Sequence, residues 1–256
     1  MKELLTRAIT GLVYVLSIFL AIYFGVNGVA LLMLAFGLIA FWEYGNMVDL
    51  GAFKFPLMIS LALSILVTWI RPDFIPLLPV FVILVGSWSV FIKVGGRRLL
   101  SGIGGWIYIG LPTLLALILT KNYEHVADGL TLLPAFLFIW INDTFAYLSG
   151  KTFGKHKLHP RISPGKTWEG FAGGFLITVA LGVFLDHYYQ QNFWWIMGGL
   201  ASLFSTLGDL FESSIKRDLG VKDSGNILPG HGGILDRIDS FLFVIPVYYT
   251  VLAFIK

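Results

Sequence analysis

Charged side chains crowd into one stretch of this chain, STLGDLFESSIKRDLGVKDSGNILPGHGGILDRIDS (205–240), where ten residues are acidic or basic. Asp209, Glu212 and Lys216 fall at i, i+3 and i+7, one face of a helix, and Asp236 and Asp239 repeat the three-residue spacing. Carboxylate oxygens are hard ligands suited to Mg²⁺, which takes one or two carboxylates and completes its shell with water and substrate phosphates. Metals held this way can clamp the attacking and leaving oxygens of an in-line displacement. Internal ion pairing is the alternative for any one of these acids, for example Asp236 with Lys222.

A second stretch, GKTFGKHKLHPRISPGKTWEG (150–170), holds five Lys or Arg, two His, four Gly and two Pro. Lys and Arg donate to phosphate oxygens, and Gly lets backbone N–H groups come close. Thr167 falls where a helix should start, and a helix N-terminus favours an anion. A basic loop with no ligand is the alternative, because cytoplasmic loops carry such charge anyway. The GKT at 165–167 is not a P-loop: Pro160 stands where that motif needs its first Gly, and no strand pattern precedes it. GIGG at 102–105 completes no dinucleotide fingerprint and reads as loop glycine. In the connector KDSGNILPGHGG (222–233), His231 is open to three readings: metal ligand, phosphate donor or loop packing. The all-oxygen company disfavours the first. Asp143, inside the apolar run FLFIWINDTFAY, is the sharpest anomaly. An intramembrane carboxylate is a functional-site candidate by default; a helix-to-helix hydrogen bond to Ser, Thr or Asn is the bland reading.

What must position these groups is a set of membrane helices. Apolar residues make up 57% of the chain and charged ones only 13%, against about 25% charged in a typical soluble protein. A charge at mid-bilayer costs roughly 2.5–3.5 kcal/mol, so ten facing lipid is untenable. With no Cys, disulfides, thiolate nucleophiles and Cys-based zinc sites are excluded. At about 20 residues per crossing, nine segments are expected, near 5–24, 28–48, 56–70, 74–92, 104–120, 130–149, 168–187, 193–216 and 234–255. The uncharged run after Arg7 reads as a retained first span, because no A-x-A-like site follows. The expected fold is all-α and polytopic, with residues 1–130 as scaffold and 131–256 carrying the chemistry. Glu43, between Trp42 and Tyr44, is the chief charge in the scaffold half and reads as interfacial.

With the N-terminus cytoplasmic, fifteen Lys and Arg fall on the inner side and three (Arg71, Lys121, Lys256) on the outer. That asymmetry gives an N-in orientation. It also brings Asp143, Asp209, Glu212, Asp236, Asp239 and Glu169 to the inner ends of four helices, at one depth.

The run Ser213–Asp239, SSIKRDLGVKDSGNILPGHGGILDRID, resembles the signature of the phosphatidate cytidylyltransferase (CDP-diacylglycerol synthase) family, element by element and without a gap. NDTFAYLSGKTFGKHKL and SPGKTWEG are similar to other blocks of that family, and Gly208-Asp209 to its Gly-Asp before the signature. The resemblance is strong over about 140–245 and looser before. It implies that CTP and phosphatidic acid give CDP-diacylglycerol and pyrophosphate with Mg²⁺, one or two ions, a second allowed to be monovalent. It implies a homodimer integral to the inner (plasma) membrane, with its site facing the cytoplasm and no nucleic-acid partner. By the same resemblance Asp209 and Asp236 are the expected metal pair. Asp223, Lys222 and Asp143 complete the expected catalytic set. Lys166, Ser163, Lys216, Arg217, Arg237 and His231 are expected at the nucleotide or lipid. A CTP-dependent lipid kinase and a polytopic anion transporter are the competing readings; charges crowded into one half, rather than matched halves, weigh against the transporter.

Overall fold

The computed structural model describes residues 2–70, 95–123 and 130–255. The expected segment 74–92 lies outside them, as do Arg71, Lys93 and Lys256. Each of the other eight segments is a helix or a pair of helices. They are α1 (Lys2–Tyr23), α2 (Gly25–Met47), α3 (Lys54–Ile70), α4 (Gly96–Gly105), α5 (Leu111–Asn122), α6 (Leu133–Phe153), α7 (Trp168–Tyr189), α8 (Trp194–Asp218) and α9 (Leu235–Ile255). Six stretches among the described residues are long and apolar enough to cross a membrane: Leu5–Tyr23, Gly25–Met47, Gly51–Ile70, Gly96–Asn122, Trp168–Tyr189 and Leu235–Ile255. The chain is an all-α polytopic membrane protein. Helices α6 and α8 match these in length but interrupt their apolar faces with Asn142, Asp143, Asp209 and Glu212.

By packing, the chain divides into two compact units: Met1–Leu130 with Asp223–Arg237, and Thr131–Lys222 with Ile238–Lys256. In the first, α2 runs against α1, α3 and α5. Helices α4 and α5 are one rod joined by a π-helical turn, Trp106–Gly110, so the segment expected at 104–120 begins eight residues earlier, at Gly96. This overturns the loop reading of GIGG. A Cβ on Gly105 would stand 2.2 Å from the Tyr44 ring, and one on Gly102 would meet Phe53 and Leu57 at 2.8 Å. Gly102 and Gly105 are glycine within a helix because neighbouring side chains occupy the space a Cβ would fill, a tertiary cause that short-range pattern does not carry.

In the second unit α7 lies against both α6 and α8 at backbone distance. Cβ atoms on Gly173 and Gly174 would meet Ser149 Oγ at 2.0 Å and Asn142 Oδ1 at 2.8 Å. Those on Gly182 and Gly198 would meet the carbonyl oxygens of Trp194 and Thr178 at 2.3 and 2.4 Å. Small residues at such seams are how membrane helices gain packing where no hydrophobic drive separates lipid from side chain. The α7–α8 turn is tied by Asp186, whose carboxylate accepts from Phe193, Trp194 and Trp195 N–H at 2.9, 2.8 and 3.1 Å. Three otherwise orphaned donors at the start of α8 are thereby satisfied. Trp194 is fully buried between Phe138 and Tyr248.

The basic stretch is more ordered than a loop. Helix α6 runs on to Phe153, past the expected end at 149. Lys157–His159 (β1) and Ser163–Thr167 (β2) then form an antiparallel hairpin, with Lys157 opposite Thr167 and His159 opposite Ser163. Glu169 pins the hairpin's start to α7: its carboxylate accepts the Lys155 and His156 N–H groups at 3.1 and 3.2 Å and meets His156 Nδ1 at 2.6 Å.

Candidate active site

The hairpin and helices α6, α7 and α8 line a cleft of about 420 Å³, within the range of small-molecule sites. Helix α6 contributes Asp143 and Lys151, the hairpin Ser163 and Lys166, and α8 Thr206 and Asp209. Lys166 is aimed by its neighbour: Thr167 is the N-cap of α7, its Oγ1 accepting Gly170 N–H at 3.1 Å. The cap fixes where β2 ends, and so where the Lys166 side chain leaves the strand. Lys166 Nζ lies 2.8 Å from Asp209 Oδ2, with 26% and 38% of the two side chains exposed. Asp209 Oδ1 also accepts the Ser213 hydroxyl at 3.1 Å.

Asp143 makes the helix-to-helix hydrogen bond of the bland reading and also lines the cavity. Its Oδ1 accepts from Ser205 Oγ across the α6–α8 seam and from Asn142 Nδ2, each at 3.3 Å, and the residue lines the cavity. Asn142 is 2% exposed and also accepts the Ser202 hydroxyl at 2.6 Å. A buried amide thus braces the helix at the position next to the carboxylate. Asp143, Asp209 and Asp239 lie close enough to act on one another by charge.

The remaining candidates of this unit lie differently. Lys216 is buried and pairs with the buried Glu212 one turn back on α8, the internal ion pair that the charge pattern left open. Arg217 is exposed and donates to the Val221 carbonyl at 3.0 Å. Lys222 is exposed.

In the first unit the connector is a tight, multiply tied loop. Leu228 and Gly232 bridge, His231 N–H reaches Leu228 O at 2.9 Å, and Gly230 and Gly232 have φ of 77° and 82°, which glycine alone adopts freely. Asp236, in the first turn of α9, accepts Ser224 N–H at 3.0 Å and Gly233 N–H at 2.7 Å. Asp223 is exposed. Arg237 donates to the His231 carbonyl at 2.6 Å, and Tyr14 OH donates to the Arg237 carbonyl at 3.0 Å. His231 Nδ1 meets Thr10 Oγ1 at 2.6 Å. Burial, then the positive charges of Arg237 and Arg7, hold the imidazole below its ordinary pKa of 6.5, which favours the neutral form.

The residue that sequence reasoning missed is Glu43. It is an internal residue of its unit, 3% exposed and hydrogen-bonded to Ser224, Ile234 and Leu235. Its aromatic neighbours gave an interface signal, while two of its three partners are backbone amides nearly two hundred positions away, which no pattern of side chains reveals.

The model of the cytidylyltransferase family matches residues 5–255. This chain belongs to the cytidylyltransferase family. Among curated relatives, phosphatidate cytidylyltransferase of Staphylococcus aureus (strain COL) is 55% identical over 131 residues, covering 48% of this chain and 50% of that protein. The phosphatidate cytidylyltransferases of Staphylococcus epidermidis (strain ATCC 12228 / FDA PCI 1200) and Staphylococcus saprophyticus are each 51% identical over 129 residues, with the same coverage. The chain spans about half the length of the curated relatives it matches. Within the cytidylyltransferase family the cavity of Asp143, Lys166 and Asp209 is the candidate centre.

Proposed function

We propose that this chain transfers the cytidylyl group of CTP to phosphatidic acid, giving CDP-diacylglycerol and pyrophosphate. The observation that carries the reading is the cavity in which Lys166 and Asp209 face each other beside Asp143, in a chain of the cytidylyltransferase family. Its relatives' names supply the substrate.

The donors on this chain fit a hard divalent ion: Asp209 presents a partly exposed carboxylate to the cavity, and Mg²⁺ takes one or two such groups with substrate phosphates as the rest. Asp209 at the cavity and, by the family resemblance, Asp236 are the residues proposed as ligands of such an ion, which when bound would neutralise charge between the two phosphates. The other contributions come from the chain. The lipid phosphate is already an oxyanion, so no strong base is required. One of its oxygens forms a bond to the CTP α-phosphorus as the bond to the β-phosphate bridging oxygen breaks, and pyrophosphate departs with that electron pair. Phosphoryl-type transfer asks mainly for positioning and charge neutralisation. Lys166 supplies a cation at the cavity wall; Asn142 and Ser205 hold the Asp143 carboxylate in place.

The same proposal includes the orientation, N-terminus and site on the cytoplasmic side, supported by the fifteen-to-three distribution of Lys and Arg. Assembly as a homodimer is supported by the family resemblance. The test is incubation of purified protein with phosphatidic acid, Mg²⁺ and CTP labelled at the α-phosphate. Label in the lipid is expected. Lipid labelled only from γ-labelled CTP would make the chain a lipid kinase, and no labelled lipid with any divalent metal would overturn the reading.

A further inference from the structure

Glu43 lies in the last two turns of α2, and among the described residues the hydrogen-bond partners of its carboxylate come from one segment, 224–235. Oε1 accepts Ile234 N–H at 3.2 Å; Oε2 accepts Leu235 N–H at 2.9 Å and the Ser224 hydroxyl at 3.4 Å. Two glycines of the same segment press bare backbone against it. A Cβ on Gly225 would stand 2.4 Å from Oε1, and one on Gly233 would stand 2.5 Å from Oε2. Charge-assisted bonds of this kind are about twice as strong as neutral ones. Glu43 therefore grips the connector at two points, its entrance at Ser224 and its exit at the first residues of α9.

Those two points are also where Asp236 is held. Its carboxylate accepts the Ser224 N–H and the Gly233 N–H, so Ser224 gives its hydroxyl to Glu43 and its amide to Asp236. Neighbouring amides at 233 and 234 divide in the same way. The loop is closed between two carboxylates, one from α2 and one from α9. We infer that Glu43 is a positioning residue: it fixes the connector against the start of α9 and thereby sets where the Asp236 carboxylate points. It touches no reacting atom and acts through Asp236. Its catalytic consequence rests on the proposed function; the positioning itself does not. A corollary is that the first N–H of α9, that of Leu235, and the two just before it are satisfied by protein carboxylates, so this helix start serves as an anchor for the loop.

The test is residue-resolved hydrogen exchange on the full chain in detergent, wild type against Glu43→Gln, with turnover measured on the same samples. The amide removes one acceptor oxygen and the charge while keeping the size. Exchange at Ser224 and Gly233, whose N–H groups bind Asp236 and not Glu43, is expected to quicken about tenfold, the equivalent of one lost net hydrogen bond. The kcat per folded molecule is expected to fall at least about tenfold with KM for CTP little changed. Faster exchange confined to Ile234 and Leu235, or an unchanged kcat per folded molecule, would overturn the inference. If Glu43→Gln does not fold, Gly225→Ala, which pushes on Oε1 from the loop side, is read in the same way. If wild type makes no CDP-lipid, the functional reading fails on that result, and the exchange rates alone decide the positioning role.

Discussion

Replacing Asp209 by Asn separates stability from chemistry more cleanly than any other change in the cavity. The side chain keeps its shape, and its Oδ1 can still accept the Ser213 hydroxyl. What goes is the charge facing Lys166 at 2.8 Å. That pair is about a third exposed on each side, and partly exposed ion pairs contribute only about 0–1 kcal/mol. For a chain of this size 1 kcal/mol moves Tm by about 2–4 °C, so thermal unfolding in detergent should shift by no more than that. Turnover is a different matter. Removing one pre-placed electrostatic group aimed at a transition state lowers kcat by about 10²–10³, or about 2.7–4 kcal/mol. The assay is label transfer from α-labelled CTP to phosphatidic acid at saturating substrate, with unfolding followed in the same preparation. A near-normal kcat with unchanged Tm would remove Asp209 from the chemistry. A loss of folded protein matching the loss of rate would make its role structural.

Thr167→Val removes the oxygen that caps α7, which should cost about 1 kcal/mol in unfolding free energy. It should also lower kcat through misplacement of Lys166, as the label-transfer assay would show. Gly105→Ala forces a methyl against the Tyr44 ring, so a loss of about 1–3 kcal/mol in denaturant unfolding is expected, with kcat per folded molecule unchanged. His231 has a folded-state pKa below 6.5, so the unfolded chain binds more protons between the two values and stability rises with pH across that window. Its contribution is complete above about pH 6.5 and is lost as pH falls through the lowered value. A scan of Tm from about pH 5 to 8 should show this slope in wild type and a flatter one in His231→Gln.

Much of this arrangement is legible in the sequence because membrane helices advertise themselves. Long apolar runs gave eight helical segments, seven of them to within about four residues, and Asp143 stood out because a carboxylate in FLFIWINDTFAY needs a reason. Long-range geometry was hidden. Lys216 carries the same letter whether it meets a phosphate or, as here, a buried Glu212 one turn away. The 157–167 hairpin is too short and too rich in Pro, Gly and Lys to display a two-residue alternation, and its order comes from Glu169 and the Thr167 cap. Glycines in GIGG looked like a break because the side chains that crowd Gly105 and Gly102 (Tyr44, Phe53 and Leu57) lie some forty-five to sixty positions earlier.

The glycine seams of α7 bear on how a substrate with acyl chains gets in. Where Gly173 meets Ser149 and Gly198 meets Thr178 there is no room even for a methyl group, so a hydrocarbon tail cannot slip between α6 and α7 or between α7 and α8 at those levels. At those levels the two helix seams are closed, and the diacyl substrate proposed above would have to come to the cavity by another side.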